Sequence, residues 1–202
     1  LFQKLKCLLT KENGPLMINW FVAGHQIPND HWYFDKQEGG RILGNLCHWT
    51  DLTLHLVGRD KAFPCRIIPA TIPSSKSDFI VSLVFADSSS ASITFSAKGE
   101  TFEGVREVLN LHKGNLLATL TDFHSLKVSI GANQFLMKSF YRNHGHKLNI
   151  INSLISERGE ALPYVHSTAM LFLSIRKAVD SGQCQILSRE KAFGVEDNVF
   201  NV

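Results

Sequence analysis

The chain of 202 residues is 44% hydrophobic and 19% charged, with a formal net charge of +3 at pH 7. These proportions predict a globular chain with a buried core and exclude an intrinsically disordered one. Lys and Arg form no dense cluster, so a nucleic-acid partner is not expected, and no apolar run reaches the roughly 20 residues that a membrane-spanning helix needs.

The first part of the chain predicts two helices that flank a strand and a long irregular segment. Residues 1–9 have the pattern of a short amphipathic helix, and residues 16–23 are rich in β-forming side chains. Residues 24–38 show no periodicity, and a connection of about 15 residues without secondary structure is often functional. Residues 39–58 open with two glycines and then follow a helical pattern that ends at Gly58.

The middle of the chain predicts a series of short strands joined by turns. The apolar or alternating runs that indicate these strands are 64–72, 78–86, 91–97, 105–112, 116–121 and 126–130. Ser and Thr alternate with apolar residues over 91–97, so one face of that strand is polar. The turn at 113–115, between two of the runs, predicts a hairpin.

The end of the chain predicts two helices and a last strand. Residues 147–157 and 163–179 carry apolar stripes at helical spacing, and residues 183–187 are expected to form a strand. The tail after Ser188 is charged and is expected to be peripheral. Together these elements predict an α+β fold: a mostly antiparallel, open-faced sheet with helices packed on one face.

The four cysteines are scattered along the chain and include no Cys-x-x-Cys pair. This spacing favours free thiols in a reducing compartment, so the cytoplasm is the expected location.

No nucleotide-binding motif occurs in the sequence. A dinucleotide site needs Gly-x-Gly-x-x-Gly between a strand and a helix, because the glycines let the backbone approach the pyrophosphate at the helix N-terminus. Gly39, Gly40 and Gly44 do not have this spacing, and no Gly-x-x-x-x-Gly-Lys-Ser/Thr phosphate loop is present. These residues alone therefore offer no recognisable way to hold a nucleotide.

Two blocks of sequence together resemble a known family. They are Pro28-Asn29-Asp30-His31-Trp32 and Glu38-Gly39-Gly40-Arg41-Ile42-Leu43-Gly44-Asn45-Leu46-Cys47-His48-Trp49-Thr50-Asp51-Leu52. They resemble the substrate domain of the glucose–fructose oxidoreductase / inositol dehydrogenase (Gfo/Idh/MocA) family. The resemblance continues through residues 98–100, 122–123 and 144–147 to the helix at Pro163, and so covers nearly the whole chain.

The resemblance implies a two-domain enzyme of which residues 1–202 are the single C-terminal substrate and oligomerisation domain. An N-terminal Rossmann domain, absent from these residues, would bind NAD or NADP. The enzyme would be an NAD(P)-dependent dehydrogenase that acts on a sugar, a polyol or a related hydroxy compound, and the isolated chain would be inactive. Homo-oligomers would form through the sheet faces.

The same resemblance assigns the candidate site residues. His48 matches the histidine that faces the hydroxyl group being oxidised, and is the candidate catalytic residue. The candidate substrate contacts are Asp30, His31, Trp32, Asn45 and His146. The chain departs from the pattern at Asn45, where the family subgroup carries a carboxylate, and in having two glycines in place of three. The loss of that charge puts the efficiency of proton transfer in question.

The chemistry of His48 is consistent with this role, because an imidazole titrates near neutral pH and can accept a hydroxyl proton as a hydride leaves. The alternative is a histidine packed between Leu46 and Leu52. Asp51 and His55 share its helix face, which could suit zinc, but a pairing of Asp51 with His55, or a turn capped by Asp51, is the preferred interpretation and no metal site is predicted. A Cys47–His48 nucleophile is not expected, since consecutive helix residues point apart.

A second hypothesis is a non-catalytic oligomerisation or sensing module that has retained the fold, and the amide at Asn45 favours it. The sequence preceding Leu1 would discriminate between the two: a Gly-x-Gly-x-x-Gly with a Glu-Lys-Pro motif favours the enzyme, and their absence favours the module.

Overall fold

The computed structural model describes residues 1–35, 37–71, 77–99, 104–140 and 162–194. Nine strands in this part of the chain form one sheet. They are β1 (Met17–His25), β2 (Cys65–Pro69), β3 (Phe79–Val84), β4 (Ser90–Gly99), β5 (Arg106–Lys113), β6 (Leu116–Thr121), β7 (Ser125–Ile130), β8 (Asn133–Lys138) and β9 (Gln185–Leu187).

The strands lie in the order β8-β7-β6-β5-β1-β4-β3-β2-β9. β5 to β8 form an antiparallel meander, and the hairpin predicted around residue 114 joins β5 to β6. β1 pairs antiparallel with β5 and parallel with β4. The backbone N–H of Leu16 donates to Ser89 Oγ at 2.8 Å, across 73 residues of sequence. The mostly antiparallel sheet predicted from the sequence is confirmed, with a parallel pair at its centre.

The sheet is covered on one face and open on the other. Ile18, Trp20 and Val22 of β1 are buried, whereas the alternate residues Asn19 and Phe21 are exposed. The strands on both sides of β1 repeat this alternation, and β4 turns its Ser and Thr side chains to the open face, as predicted. Because side chains alternate along a strand, one continuous layer of apolar residues lies beneath the helices.

The helices are α1 (Phe2–Leu9), α2 (Cys47–Val57), α3 (Arg59–Ala62), α4 (Leu162–Ser181) and α5 (Arg189–Phe193), with a 3₁₀ turn (Trp32–Phe34) and a π-helical turn (Ile42–Leu46) between β1 and α2. α2 packs its inner face on the centre of the sheet. Trp20 Nε1 donates to Thr53 Oγ1 at 3.0 Å, and Thr53 Oγ1 donates to the Trp49 carbonyl at 2.6 Å. Side-chain bonds of this kind fix how a helix sits on the sheet, because buried polar groups need partners.

Two predictions near the chain end concern the tail after Ser188 and the helix over residues 147–157. The tail after Ser188 was expected to be peripheral, and for α5 this is wrong: Ala192 is fully buried and the Arg59 guanidinium lies 3.8 Å from the centre of the Phe193 ring. Ser188 caps the helix by accepting the Lys191 N–H. The helix predicted over 147–157 lies outside the described residues.

No helix in the described part of the chain is long and apolar enough to span a membrane.

Candidate functional site

His48 lies on the first turn of α2, directly after the π-helical turn. π-helical turns are rare and occur frequently at functional sites. The His48 side chain is exposed, whereas the adjacent Trp49 is buried, and the two rings meet edge to face with centroids 6.1 Å apart. The alternative of a His48 packed in the core is therefore wrong, and its imidazole is open to a ligand.

The orientation of His48 is set from the opposite side of the helix. Trp49 Nε1 donates to Glu107 Oε2 at 3.0 Å, and both side chains are buried. A hydrogen bond to a buried carboxylate is among the stronger polar contacts in proteins. It ties the start of α2 to β5, so that the helix face with Trp49 points to the sheet and the face with His48 points away.

A cluster of aromatic side chains, the aromatic loop (residues 31–34), precedes the π-helical turn. His31 caps its 3₁₀ turn, since its Nδ1 accepts the Tyr33 N–H at 3.2 Å. The His31 and Trp32 ring centroids are 5.3 Å apart, and Trp32 is 59% exposed. Asp30, just before the loop, is also exposed. An exposed indole and a carboxylate suit the CH faces and hydroxyl groups of a sugar, while Nδ1 of His31 is already used within the loop.

Tyr33 joins the aromatic loop to the π-helical turn. Its hydroxyl donates to Asn45 Oδ1 at 2.8 Å, and Arg41 Nη1 donates to the same oxygen at 3.3 Å. Gly44 makes this contact possible, because a Cβ at that position would collide with the Tyr33 hydroxyl. The amide oxygen of Asn45 is thus occupied by two donors, and its Nδ2 amino group is the part that Asn45 can offer to a ligand.

Arg41 is 2% exposed and lies between two rings, with its Cζ 5.6 Å from the centres of both Tyr33 and Phe95. Its Nη2 donates to the His25 carbonyl at 2.6 Å. Burial lowers the pKa of the Arg41 guanidinium, and the nearby Tyr33 hydroxyl opposes this effect. Arg41 therefore holds the end of β1, the aromatic loop and the π-helical turn together.

Burial also decides the protonation of two neighbouring groups. It raises the pKa of the Tyr33 hydroxyl, so the phenol keeps its proton and donates it to Asn45. Burial likewise raises the pKa of the Cys47 thiol, and a protonated thiol is a poor nucleophile. This agrees with the expectation that Cys47 and His48 do not form a nucleophilic pair.

The structure brings together three of the predicted substrate contacts. His31, Trp32 and Asn45 are connected through Tyr33, and His48 follows Asn45 by about one helical turn. Asp30 lies at the edge of this group, and His146 lies outside the described residues. The sequence interpretation missed Tyr33 and Arg41. A glycine inside a helical pattern, Gly44, was a signal that a neighbouring side chain approaches the backbone closely.

The other polar residues of α2 have separate partners. Asp51 Oδ1 accepts the Tyr164 hydroxyl at 3.0 Å, and Lys6 Nζ lies 2.8 Å from His55 Nε2. Within the described residues no group of three His, Cys, Asp or Glu side chains is arranged to hold a metal ion.

The backbone is similar to those of several solved proteins, among them oxidoreductases. An aldose-aldose oxidoreductase from Caulobacter crescentus superposes on 92% of this chain with a TM-score of 0.69 at 9% sequence identity, and 60% of its own length is covered. A levoglucosan dehydrogenase solved with NADH and levoglucosan matches 90% of the chain with a TM-score of 0.68 at 13% identity and 61% coverage of its length. Gal80p from Saccharomyces cerevisiae, in a super-repressor mutant, matches 95% with a TM-score of 0.66 at 12% identity and 63% coverage.

At these identities the likeness concerns the fold. The chain has the fold of the Gfo/Idh/MocA-type oxidoreductases, which confirms the resemblance drawn from its sequence. It spans about three fifths of the length of the solved structures that it matches. No protein-family model matches the sequence, and no curated protein matches it significantly.

Proposed function

We propose that this chain is the C-terminal, substrate-binding domain of an NAD(P)-dependent oxidoreductase that acts on a sugar, a polyol or a related hydroxy compound. The observation that carries the proposal is the exposed imidazole of His48, about one helical turn beyond Asn45, to which Tyr33 attaches the aromatic loop. A general base, a hydrogen-bond donor and an exposed aromatic face are the groups that oxidation of a sugar hydroxyl requires. The fold shared with oxidoreductases supports this assignment.

In this proposal His48 accepts the hydroxyl proton while a hydride leaves the same carbon atom. The imidazole can do so because its side chain is exposed and a neutral imidazole nitrogen is a proton acceptor. Asn45 Nδ2 donates a hydrogen bond to a substrate hydroxyl and orients it, since its Oδ1 is held by Tyr33 and Arg41. An amide is not a base at neutral pH, so Asn45 cannot take up the proton in place of His48.

The cofactor would be held mainly outside this chain. No Gly-x-Gly-x-x-Gly occurs in its sequence, so a separate N-terminal Rossmann domain is the proposed NAD or NADP site. When bound there, NAD(P) supplies the hydride acceptor. The residues described above contribute the substrate side: they bind and orient the hydroxy compound and receive its proton.

The test compares His48→Ala with His112→Ala in a full-length protein that includes this domain. His112 is also exposed, but it lies on the open face of β5. We expect His48→Ala to lower kcat for NAD(P)H formation by about 10²- to 10⁴-fold, the range for loss of a general base, and His112→Ala to leave it within about twofold. Substrate panels followed by NAD(P)H absorbance provide the measurement. Unchanged turnover in His48→Ala would remove this residue from the mechanism.

A second candidate function is a non-catalytic assembly or sensing module. Gal80p, solved as a super-repressor, shows that this fold also occurs in a repressor, and the amide at Asn45 removes a charge from the site. The open sheet face carries exposed apolar side chains, among them Met17, Phe21 and Leu117. We propose that a second copy of the chain covers this face, as packed sheets do, in either candidate function.

A further inference from the structure

Arg41 is a buried cation whose hydrogen-bond partners are all neutral. Nη2 donates to the His25 carbonyl and Nη1 to the Asn45 amide oxygen, and Cζ lies over the rings of Tyr33 and Phe95, 5.6 Å from each centroid. Its Nε is buried without a hydrogen-bond partner. The ion pairs found in residues 1–35, 37–71, 77–99, 104–140 and 162–194 join other residues, and none of them includes Arg41.

This arrangement leaves a positive charge in the site. An arginine cannot lose its proton in a protein, so it cannot escape the cost of burial by becoming neutral. Buried charges are normally paired, because an unpaired ion in a medium of low dielectric is strongly unfavourable. Asn45 is the side chain that would neutralise Arg41 if it were an aspartate, since its Oδ1 already accepts from Nη1. The amide accepts the hydrogen bond and leaves the charge uncompensated.

The charge lies directly behind the proposed substrate contacts. The Tyr33 hydroxyl and Arg41 Nη1 share Asn45 Oδ1, so the guanidinium is separated from the ligand side of Asn45 by the amide group alone. In a partly buried site a charge at this range acts on a ligand without touching it, because little water lies between to screen it. An anionic group bound beside Asn45 would therefore be attracted, and a cationic group would be repelled.

We propose that the substrate of this site carries an anionic group, a carboxylate or a phosphate, and that Arg41 selects for it. The inference rests on the proposed function, because it names the class of sugar-type compound that His48 would serve. Arg41 is a specificity-determining residue here, acting mainly through its field. The ligand supplies the negative charge that Asn45 does not.

The test measures the thermal unfolding midpoint of this chain against the concentration of each of four compounds at constant ionic strength. The compounds are D-glucuronate, D-glucose 6-phosphate, D-glucose and inorganic phosphate. The critical variant is Asn45→Asp, which places a carboxylate on Arg41 with almost no change in shape. The matched control is Asn13→Asp, which makes the same change in net charge at an exposed position between α1 and β1. If Asn45→Asp fails to fold, it is replaced by Arg41→Gln, which removes the charge. Arg41→Lys keeps the charge and should retain the preference for charged sugars.

We expect a saturable rise of the midpoint with at least one of the two charged sugars, and a dissociation constant about tenfold or more below that for glucose. Asn45→Asp, which also removes the Nδ2 donor, should raise that constant at least about tenfold more than it raises the constant for glucose, and Asn13→Asp should leave both constants unchanged. Three results would each overturn the inference: equal responses to charged and neutral sugars, an equal response to inorganic phosphate alone, or an Asn45→Asp variant that keeps the wild-type preference for the charged sugar.

The outcome is separate from that of the proposed function. If the full-length protein turns over neutral sugars best and still needs His48, the oxidoreductase assignment stands and the anionic substrate class does not. If no turnover depends on His48 but the charged sugars bind through Arg41, the anionic ligand class stands and the oxidoreductase assignment does not.

Discussion

Gly44 is the residue on which docking of the aromatic loop most directly depends. It lies in the π-helical turn, where an alanine would normally be the better helix former. A methyl group at this position would, however, meet the Tyr33 hydroxyl and ring. The glycine therefore serves close approach between a helix backbone and a loop side chain, and the hydrogen bond from Tyr33 to Asn45 depends on it.

Gly44→Ala should lower the free energy of unfolding by about 2 kcal/mol, the usual cost of overpacking a tight contact. In a Tyr33→Ala background the same change should cost less than about 0.5 kcal/mol, because the obstructing ring is gone. Gly99→Ala is the control, since a Cβ there meets nothing within 4 Å. Urea unfolding of the four proteins measures the coupling, and an equal cost in both backgrounds would contradict this account of Gly44.

At the scale of single residues, the sequence predicts His48, Asn45, His31 and Trp32 as site residues because they lie in two short blocks with a recognisable spacing. The structure connects Asn45 to the loop that holds His31 and Trp32. Tyr33 and Arg41 could not be predicted in their roles. The Tyr33–Asn45 contact bridges 12 positions, and the burial of Arg41 depends on Phe95, which is far away in the sequence. Local patterns carry no information on such contacts.

Among the elements, α2 connects the site to the sheet. Its inner face is buried on β1 and β5, and the hydrogen bond from Trp49 to Glu107 is the polar contact nearest His48. The next turn adds the bond from Trp20 to Thr53. These two contacts fix both the position and the rotation of the helix, so a change at Trp49 should affect stability and the site together.

Trp49→Phe should lower the free energy of unfolding by about 2 kcal/mol, because it keeps the apolar ring but removes a donor to a buried carboxylate. Trp32→Phe is the matched control: that indole is 59% exposed and should cost less than about 0.5 kcal/mol. Denaturant unfolding gives both values, and hydrogen exchange at the start of α2 should rise in Trp49→Phe. Equal stabilities of the two variants would show that the Trp49–Glu107 bond does not anchor α2.

The strands differ in how far the sequence predicted them. β4 and β7 follow from strict alternation, and β5 and β6 from the turn between them. β8 (Asn133–Lys138) was not predicted, because it is an edge strand with almost every residue exposed and so lacks an alternating apolar pattern. The order of strands was also beyond prediction, since the parallel pairing of β1 with β4 depends on contacts distant in sequence.

At the scale of the whole molecule, the open sheet face is left uncovered by the described part of the chain. Its exposed apolar residues lie among Ser, Thr and Asn side chains, and Phe21 at its centre is 49% exposed. Exposed apolar patches of this kind mark association surfaces. For this reason we propose that a second copy of the chain packs on this face.

Phe21→Lys should weaken self-association by at least about tenfold, because it places a charge in the centre of the proposed interface. Leu173→Lys is the matched control, since Leu173 is 46% exposed but lies on α4, on the helical side of the molecule. Sedimentation velocity over a range of concentrations gives the association constants. A wild-type chain that stays monomeric, or an equal effect of Leu173→Lys, would exclude the open face as the interface.

The parallel contact at the centre of the sheet has a consequence for how the protein folds. β1 leaves the ribosome before the rest of the sheet, yet the partner to which Leu16 binds follows 73 residues later, and β5 follows later still. Until then the apolar side of β1 has no sheet to join, and long-range pairings of this kind form slowly. The nascent chain therefore cannot fold progressively from its first strand. Its folding waits for the hairpins of the second half, and any truncation before β5 should leave β1 exposed to aggregation.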